Sequence, residues 1–532
     1  MQSSSSTSKT KKAPEKGSFV CEIPLEVNQS DLAALGSVFE ASRQLYNACL
    51  GEALRRLRLM REAKAYQAAR KMSKKSKERT AAFKKMREDF SFDEYSLHAY
   101  AAVIKNSWIG EHIGIHVAQK LATRAFRAVE KIAFGFAKHV RFKRYGGLNS
   151  IEGKNNATGL IWKETFLKIG KLEIDALINS SDPVVVHGLS CRIKYCRLVQ
   201  RIIRGTKRLF VQLCCEGTTL SAKDRHFLRS RKPPTERRQP LISEGGPVGM
   251  DIGPSTIAVV GEREAVLLRF CDEVMPKKEE IATIQQHLDR QRRANNPQNY
   301  QANGTIKKGP KNWRRSERQK ETEETLAEVQ RRVAAHRKTL HGALLNSLPL
   351  HEDFYLEKLS YRSFQKNFGR SVGMRAPGMF VEELKRKAEN AGGSVHEFST
   401  VTTKLSQTCH CGRVHKKKLS QRWHFCECGV EAQRDLYSAY LARFVRDGKL
   451  NAAGAAKHWQ GGESLLRTAF EKIEFASCGH VPASFGVNRR QSRSSAREGI
   501  AKSEAANVVA AKQFACESCR ELEVVSPRTP WL

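Results

Sequence analysis

The spacing of apolar positions along the chain changes period several times, and each change marks an element. Residues 18–27, F-V-C-E-I-P-L-E-V-N, alternate apolar and polar side chains as a strand does. After Asn28 the period lengthens. Leu32, Leu35, Val38, Phe39, Leu45, Tyr46, Cys49 and Leu54 recur near the helical repeat, and helical segments continue to residue 140. From residue 158 the texture returns to strands, with I-W-K-E-T-F-L-K-I and V-V-V-H-G-L-S-C-R-I-K-Y. R-L-V-Q-R-I-I and R-L-F-V-Q-L-C-C then flank Arg204-Gly205-Thr206, which predicts a hairpin. The first half therefore reads as a helical module inserted into a small β module. Pro233, Pro234, Pro240, Gly245, Gly246 and Pro247 mark a linker after it.

The second half opens with P-V-G-M-D-I-G-P-S-T-I-A-V-V-G, an apolar strand, a tight Gly253-Pro254 turn and a second strand. A long helical insertion follows, with Leu326, Val329, Val333, Leu340 and Leu344 at helical spacing and a basic, polar loop between Arg290 and Arg315. F-Y-L-E-K-L-S comes next, then the helix M-F-V-E-E-L-K-R-K-A-E-N-A, stopped by Gly392-Gly393, and the strand V-H-E-F-S. There is no internal repeat, and no apolar run is long enough to span a membrane.

Charge changes this picture most. The 532 residues, too many for one core, carry 93 Lys plus Arg against 55 Asp plus Glu, a formal net charge of +38. A compact protein with that excess repels itself unless a polyanion neutralises it, and nucleic acid is the obvious one. The basic residues are spread along the whole chain, which disfavours a membrane surface. M-Q-S-S-S-S-T-S-K-T-K-K at the start lacks the apolar stretch of a secretory signal and reads as a disordered basic tail. The expected location is cytoplasmic, near the nucleoid of a bacterium or archaeon. Scattered cysteines such as Cys21, Cys49 and Cys271 read as small core residues of a reducing compartment.

Two constellations carry chemistry. Asp251 sits inside an apolar strand, where an unpaired charge is costly to bury. Glu357 repeats the anomaly among Phe354, Tyr355, Leu356 and Leu359, with Glu352 and Asp353 close enough to compete for its role. Asp435 begins the helix A-Q-R-D-L-Y-S-A-Y-L-A-R-F-V. Three such acids brought together repel one another unless hard divalent cations bind them, and two Mg²⁺ or Mn²⁺ about 4 Å apart are a known solution for phosphodiester hydrolysis. D-x-G on a strand followed by a hairpin also opens the sugar-kinase and actin folds; the charge and the later acids favour an RNase H-like nuclease.

The second constellation is Q-T-C-H-C-G-R-V-H-K-K-K-L-S-Q-R-W-H-F-C-E-C-G, residues 407–429. Two Cys pairs, each closed by Gly, point to the knuckles of a zinc ribbon, although both are C-x-C where the usual spacing is C-x2-C. Cys409, Cys411, Cys426 and Cys428 are the candidate Zn²⁺ ligands, with His410, His415 and His424 as substitutes; disulfides are the competing reading. Lys416, Lys417, Lys418 and Arg422 would grip a phosphate backbone. Cys478, His480, Cys516 and Cys519 form a possible second group.

The order strand-Asp, helical insertion, strand-Glu, Cys-pair module and R-D helix resembles the TnpB family of RNA-guided DNA endonucleases, related to miniature type V CRISPR effectors. V-G-M-D-I-G-P-S-T-I-A, L-D-R-Q-R-R-A-N-N, G-M-F-V-E-E-L-K-R-K-A-E-N-A-G, T-T-K-L-S-Q-T-C-H-C-G and Q-R-D-L-Y-S-A carry the likeness. The resemblance implies an α/β multidomain, bilobed protein. A wedge β-barrel (17–30 and 141–240) would be interrupted by a helical recognition lobe (31–140). An RNase H-like RuvC nuclease (241–405, with its last helix at 432–447) would hold a zinc-ribbon-like target-nucleic-acid-binding module (406–431). A basic tail (1–16) and a C-terminal extension (448–532) complete the chain. In this scheme Asp251, Glu357 and Asp435 are the RuvC acids, Arg434 is the basic residue before the last of them, and the four cysteines hold zinc. Four features depart from the family: the shortened Cys pairs, Tyr437 where Asn is usual, a tail beyond about residue 447 that has no counterpart, and a chain longer than most members.

The implied function is RNA-guided DNA cleavage by a monomer or homodimer. A guide RNA would pair with double-stranded target DNA, and the protein would read only a short adjacent motif, for which Arg43, Tyr46 and Asn47 are candidates. The rivals are a guided repressor that does not cut and a nuclease or resolvase that needs no guide.

Overall fold

The change of period at Asn28 is a helix start in the computed structural model, which describes residues 17–73, 76–220, 241–242, 245–418, 420–476 and 485–486. The N-terminal tail, most of the linker and the group Cys478, His480, Cys516 and Cys519 lie outside these residues. The chain divides into two compact units, Met1–Thr235 and Glu236–Leu532.

In the first unit, β1 (Ser18–Pro24) buries alternate residues Phe19, Cys21 and Ile23. The Asn28 side chain then accepts the Asp31 amide at 2.8 Å, while the Asp31 carboxylate takes the Asn28 N–H at 3.1 Å. This reciprocal cap satisfies amides that the first helical turn leaves without partners. It starts α1 (Gln29–Glu62), whose buried stripe includes the expected Leu35, Val38, Phe39, Leu45, Tyr46 and Cys49. That stripe packs on α2 (Ile115–Ala133) through Val117, Leu121, Phe126 and Val129.

The strands that follow are β2 (Ser150–Glu152), β3 (Leu160–Lys163), β4 (Phe166–Ile169), β5 (Leu172–Asp175), β6 (Ile193–Ile203) and β7 (Thr206–Glu216). The expected hairpin joins β6 to β7, with Ile203 opposite Thr206. Arg204 and Gly205 both adopt left-handed backbone, the two-residue turn whose twist matches that of the strands.

The wedge β-barrel is corrected. Among the described residues the sheets are an open four-stranded one, in the order β1-β7-β6-β2, and a separate meander of β3, β4 and β5. Closure needs a continuous ladder along the outer edge of β1. That edge is bridged only at its end, by Leu25 to Ala176, with the Pro24 carbonyl accepting the Leu177 amide at 2.9 Å. The chain then leaves for α1.

The second unit is built on β8 (Val248–Ile252), β9 (Thr256–Val260) and β10 (Ala265–Arg269), followed by α3 (Lys277–Asn295) and α4 (Glu317–Asn346). Then come β11 (Asp353–Lys358), α5 (Pro377–Ala391), β12 (Ser394–Ser399), β13 (Trp423–Phe425), β14 (Glu431–Gln433), α6 (Arg434–Ala442) and α7 (Trp459–Ala476). The sheet runs β10-β9-β8-β11-β12. Its first three strands are antiparallel, and β11 pairs in parallel with both β8 and β12. All of β9 is buried, because both faces of the sheet are covered. Val248, Met250, Ile252, Ile257 and Val259 face one core with Phe380 and Leu384 of α5. Ala258 and Val260 face the other, with Leu436, Ala439 and Tyr440 of α6.

The basic loop between α3 and α4 is built rather than open. The buried Asn296 side chain donates to the carbonyls of Arg292 and Arg314 and accepts the Arg314 amide at 2.6 Å. Tyr300 and Trp313 meet edge to face, with the Arg293 and Arg292 guanidinium groups over their respective rings.

Candidate functional site

Alternation decides where Asp251 goes. Val248, Met250 and Ile252 take the α5 face of β8, so Gly249 and Asp251 take the face covered by α6. A Cβ on Gly249 would lie 1.9 Å from the Ala439 carbonyl oxygen, so glycine is what lets α6 lie directly on the strand. In the parallel register Leu356 stands opposite Met250, which places Glu357 in the row beside Asp251. Asp435, buried in the first turn of α6, completes the group from above the sheet.

The three carboxylates are close enough to act on one another. Burial first, and then the Asp435 and Glu357 charges, push the half-buried Asp251 carboxyl well above the usual carboxylate range; Arg434 and a hydrogen bond from Ser438 oppose this. Burial raises Glu357 as well, against the Leu405 amide and the Thr403 hydroxyl, which both donate to its Oε1 at 3.2 Å. Asp435 Oδ1 takes the Arg434 guanidinium through two contacts of 3.1 Å, and its Oδ2 takes the Thr256 hydroxyl at 3.3 Å. The Arg422 guanidinium, lowered by burial, also feels Asp435 and Asp251. The competing acids point elsewhere: Glu352 accepts the Gly245 amide at 3.0 Å, and Asp353 accepts the Ser394 hydroxyl at 2.6 Å.

The four cysteines form the second cluster. Their sulfur atoms all lie within 4.8 Å of one another, with Cys409 3.5 Å from Cys428 and Cys411 3.5 Å from Cys426. The described cysteines are free thiols. The shortened spacing still makes two matching turns. In each, the first cysteine's carbonyl accepts the amide of the glycine three residues on, and its own amide donates to the carbonyl four residues on. Gly412 and Gly429 supply the left-handed backbone at φ +89° and +92°. Tetrahedral zinc–thiolate bonds of about 2.3 Å place sulfur atoms somewhat under 4 Å apart, so this donor set fits zinc.

The cluster's electrostatics are uneven. Burial pushes the Cys409 thiol up to about 12. At Cys426 burial also raises, but hydrogen bonds from the Cys428 backbone, His415 and neighbouring thiols outweigh it and bring the group down to about 6. His415 Nε2 lies 3.4 Å from Cys426 Sγ, beside the thiols rather than in place of one.

Packing claims several of the other candidates. Lys417 is half-buried against His424 and the Ser406 carbonyl, and Arg422 turns towards the acids, which leaves Lys416 and Lys418 exposed. In the first unit, Arg43 and Asn47 both donate to the Lys143 carbonyl, at 2.9 and 2.8 Å, and Tyr46 is buried, so packing accounts for all three. Sequence reasoning passed over Gly249, Thr256, Thr403 and Ser438. A glycine inside a buried strand was the readable signal for the first. The threonines and the serine have none, since only the assembled cluster gives their hydroxyl groups a role.

Residues 378–441 match the family described as Cas12f1-like, TNB domain. The match takes in both Cys knuckles, Arg434 and Asp435, and it bears out over these residues the resemblance to TnpB and miniature type V effectors. Two solved structures are also similar to the chain. "Cryo-EM structure of the Cas12f1-sgRNA-target DNA complex" has 10% identity and a TM-score of 0.36, covering 80% of this chain and 98% of that one. "Cryo-EM structure of CRISPR-Cas12f Ternary Complex" has 10% identity and a TM-score of 0.25, covering 80% and 83%. No curated protein matches the chain. No described helix is long and apolar enough to cross a membrane.

Proposed function

We propose that this chain is an RNA-guided DNA endonuclease. A guide RNA held by the basic protein pairs with one strand of a double-stranded DNA target, and a RuvC site at Asp251, Glu357 and Asp435 hydrolyses phosphodiester bonds. The observation that carries this reading is the convergence of those acids from β8, β11 and α6, with Asp435 lying in the segment that matches the Cas12f1-like TNB domain. Three antiparallel strands followed by two parallel ones support an RNase H-like description of the sheet. The charge of +38 supports polyanionic partners.

A buried carboxylate whose proton affinity is raised by two neighbouring carboxylates fits hard cations, so Asp251, Glu357 and Asp435 would hold Mg²⁺ or Mn²⁺. Bound there, such ions supply charge neutralisation and a more acidic attacking water. The chain's own part is to fix the ligands in advance. Arg434 and Thr256 hold both oxygens of Asp435, Thr403 and the Leu405 amide hold one oxygen of Glu357, and Ser438 bonds to Asp251. Arg422 and Arg434 place positive charge where a phosphodiester has to arrive. Cys409, Cys411, Cys426 and Cys428 would hold Zn²⁺ as a structural centre. On this reading residues 31–140 are the recognition lobe, 241–405 with 432–447 the RuvC nuclease, and 406–431 the target-binding module.

The test is to purify the chain with the RNA it retains, sequence that RNA, and supply DNA matching the RNA's free end. Mg²⁺-dependent cutting is expected, lost in Asp251→Ala while guided binding persists. Wild-type binding without cutting would identify a repressor, and cutting without a discrete RNA would identify a guide-independent nuclease.

A further inference from the structure

Tyr437 stands at an unusual place: on the helix that carries Asp435, yet turned to the cysteines. Two residues along a helix is a rotation of about 200°, so Asp435 and Tyr437 occupy opposite faces of α6. Ser438 and Asp435 reach the acids on the β8 side. On the other side the Tyr437 hydroxyl lies 3.4 Å from Cys409 Sγ, 3.0 Å from the His410 amide and 3.0 Å from His410 Nδ1. The ring is fully buried, packed against His424, Tyr440 and Trp459.

We propose that Tyr437 is a positioning residue that locks the four-cysteine centre to the acid-bearing helix by donating its hydroxyl proton to the metal-bound Cys409 thiolate. This rests on the zinc reading of the cysteines and is independent of whether the acids cut DNA. The hydrogen-bond inventory closes. The oxygen accepts the His410 amide and, in one ring tautomer, the Nδ1–H, and its single proton is left for sulfur, which becomes an acceptor once the thiol has ionised to bind metal. Hydrogen bonds to ligand atoms orient them and strengthen metal binding, and their loss costs about 10- to 100-fold in affinity. Because the donor belongs to α6, the metal centre and the helix under Asp435 share one anchoring point.

The test uses the full chain and zinc itself. Tyr437→Phe keeps the packed ring and removes only the oxygen. Tyr440→Phe removes an equally buried hydroxyl from the same helix, one that donates to the Ala455 carbonyl at 2.7 Å and does not touch a cysteine. Zinc affinity, read by competition with a chromophoric chelator, should fall about 10- to 100-fold in Tyr437→Phe and stay at the wild-type value in Tyr440→Phe. Amide exchange over 434–442 with zinc bound should be faster in Tyr437→Phe than in wild type, and chelation should bring wild type to the same rate. Unchanged affinity in Tyr437→Phe, an equal loss in Tyr440→Phe, or a wild type that takes up no zinc would each overturn the proposal. None of these readouts involves cleavage, so a failure of the nuclease reading shows separately.

Discussion

The thiol cluster and the carboxylate cluster sit on opposite sides of one helix and are made in opposite ways. The four cysteines come from two copies of one local turn, C-x-C-G, separated by a short segment whose end pairs β13 with β14. The three acids come from a strand, a second strand and a helix far apart in sequence, and they meet only because β11 adds in parallel beside β8 and α6 lies on Gly249. A centre built from turns can form wherever its segment folds. One built from register exists only when the whole sheet does. The energetic signs also differ. Free of metal, charged Asp251 opposes folding through burial and then through repulsion by Asp435 and Glu357, whereas thiols that bind a metal gain stability for the fold.

The largest effect that tests this contrast is on activity. Asp251→Ala should reduce cleavage by roughly a thousandfold or more, the scale on which losing a main electrostatic element of a site acts, while zinc content, read by atomic emission, stays unchanged. Loss of zinc in that variant would mean the two clusters are not separately assembled.

Cys426→Ser should do the reverse. Removing one of four thiolates from a closed set should empty the site of zinc and lower the melting temperature of the holo-protein by several degrees, about the consequence of losing a few kcal/mol. Calorimetry of wild type with and without chelator supplies the reference. A variant that melts like the wild-type holo-protein would show that the cysteines contribute nothing to the fold.

Gly249→Ala is the sharper instrument. The added methyl group meets the Ala439 carbonyl, so α6 has to move off β8, at a cost of about 1–3 kcal/mol. Cleavage should fall steeply with zinc still bound, since no cysteine depends on that contact. Denaturant melts and zinc content read together would show whether the acid cluster alone is sensitive to register.

The smallest effect is the pH dependence of the metal-free protein. Asp251 and Glu357 are both raised in the folded state. Their favourable contribution is therefore complete below the unfolded carboxyl pKa of about 4 and is lost as pH rises through their folded values. The melting temperature of wild type should fall across that rise more than that of Asp251→Asn, and Mg²⁺ should narrow the gap. Parallel curves without metal would remove the repulsion from the account.

Much of this was legible in the residues themselves. The helical stripe of α1, the Asn28 start, the β6–β7 turn and the paired C-x-C-G knuckles all depend on neighbours within a few positions, and side-chain period and turn chemistry encode such relations directly. Asp251 was readable for the same reason, as a charge inside an apolar strand. What the sequence left open was which elements become neighbours. Glu352, Asp353 and Glu357 are equivalent acids until β11 takes its register on β8, and only then does Glu357 face Asp251. Arg43 and Asn47 read as candidates for a nucleic-acid contact until the Lys143 backbone claims both. The expected barrel stayed open because one bridge at Leu25 does not make a ladder. Periodicity specifies the face a side chain takes; the partner on that face is set by pairings across long loops, and those belong to the tertiary structure alone.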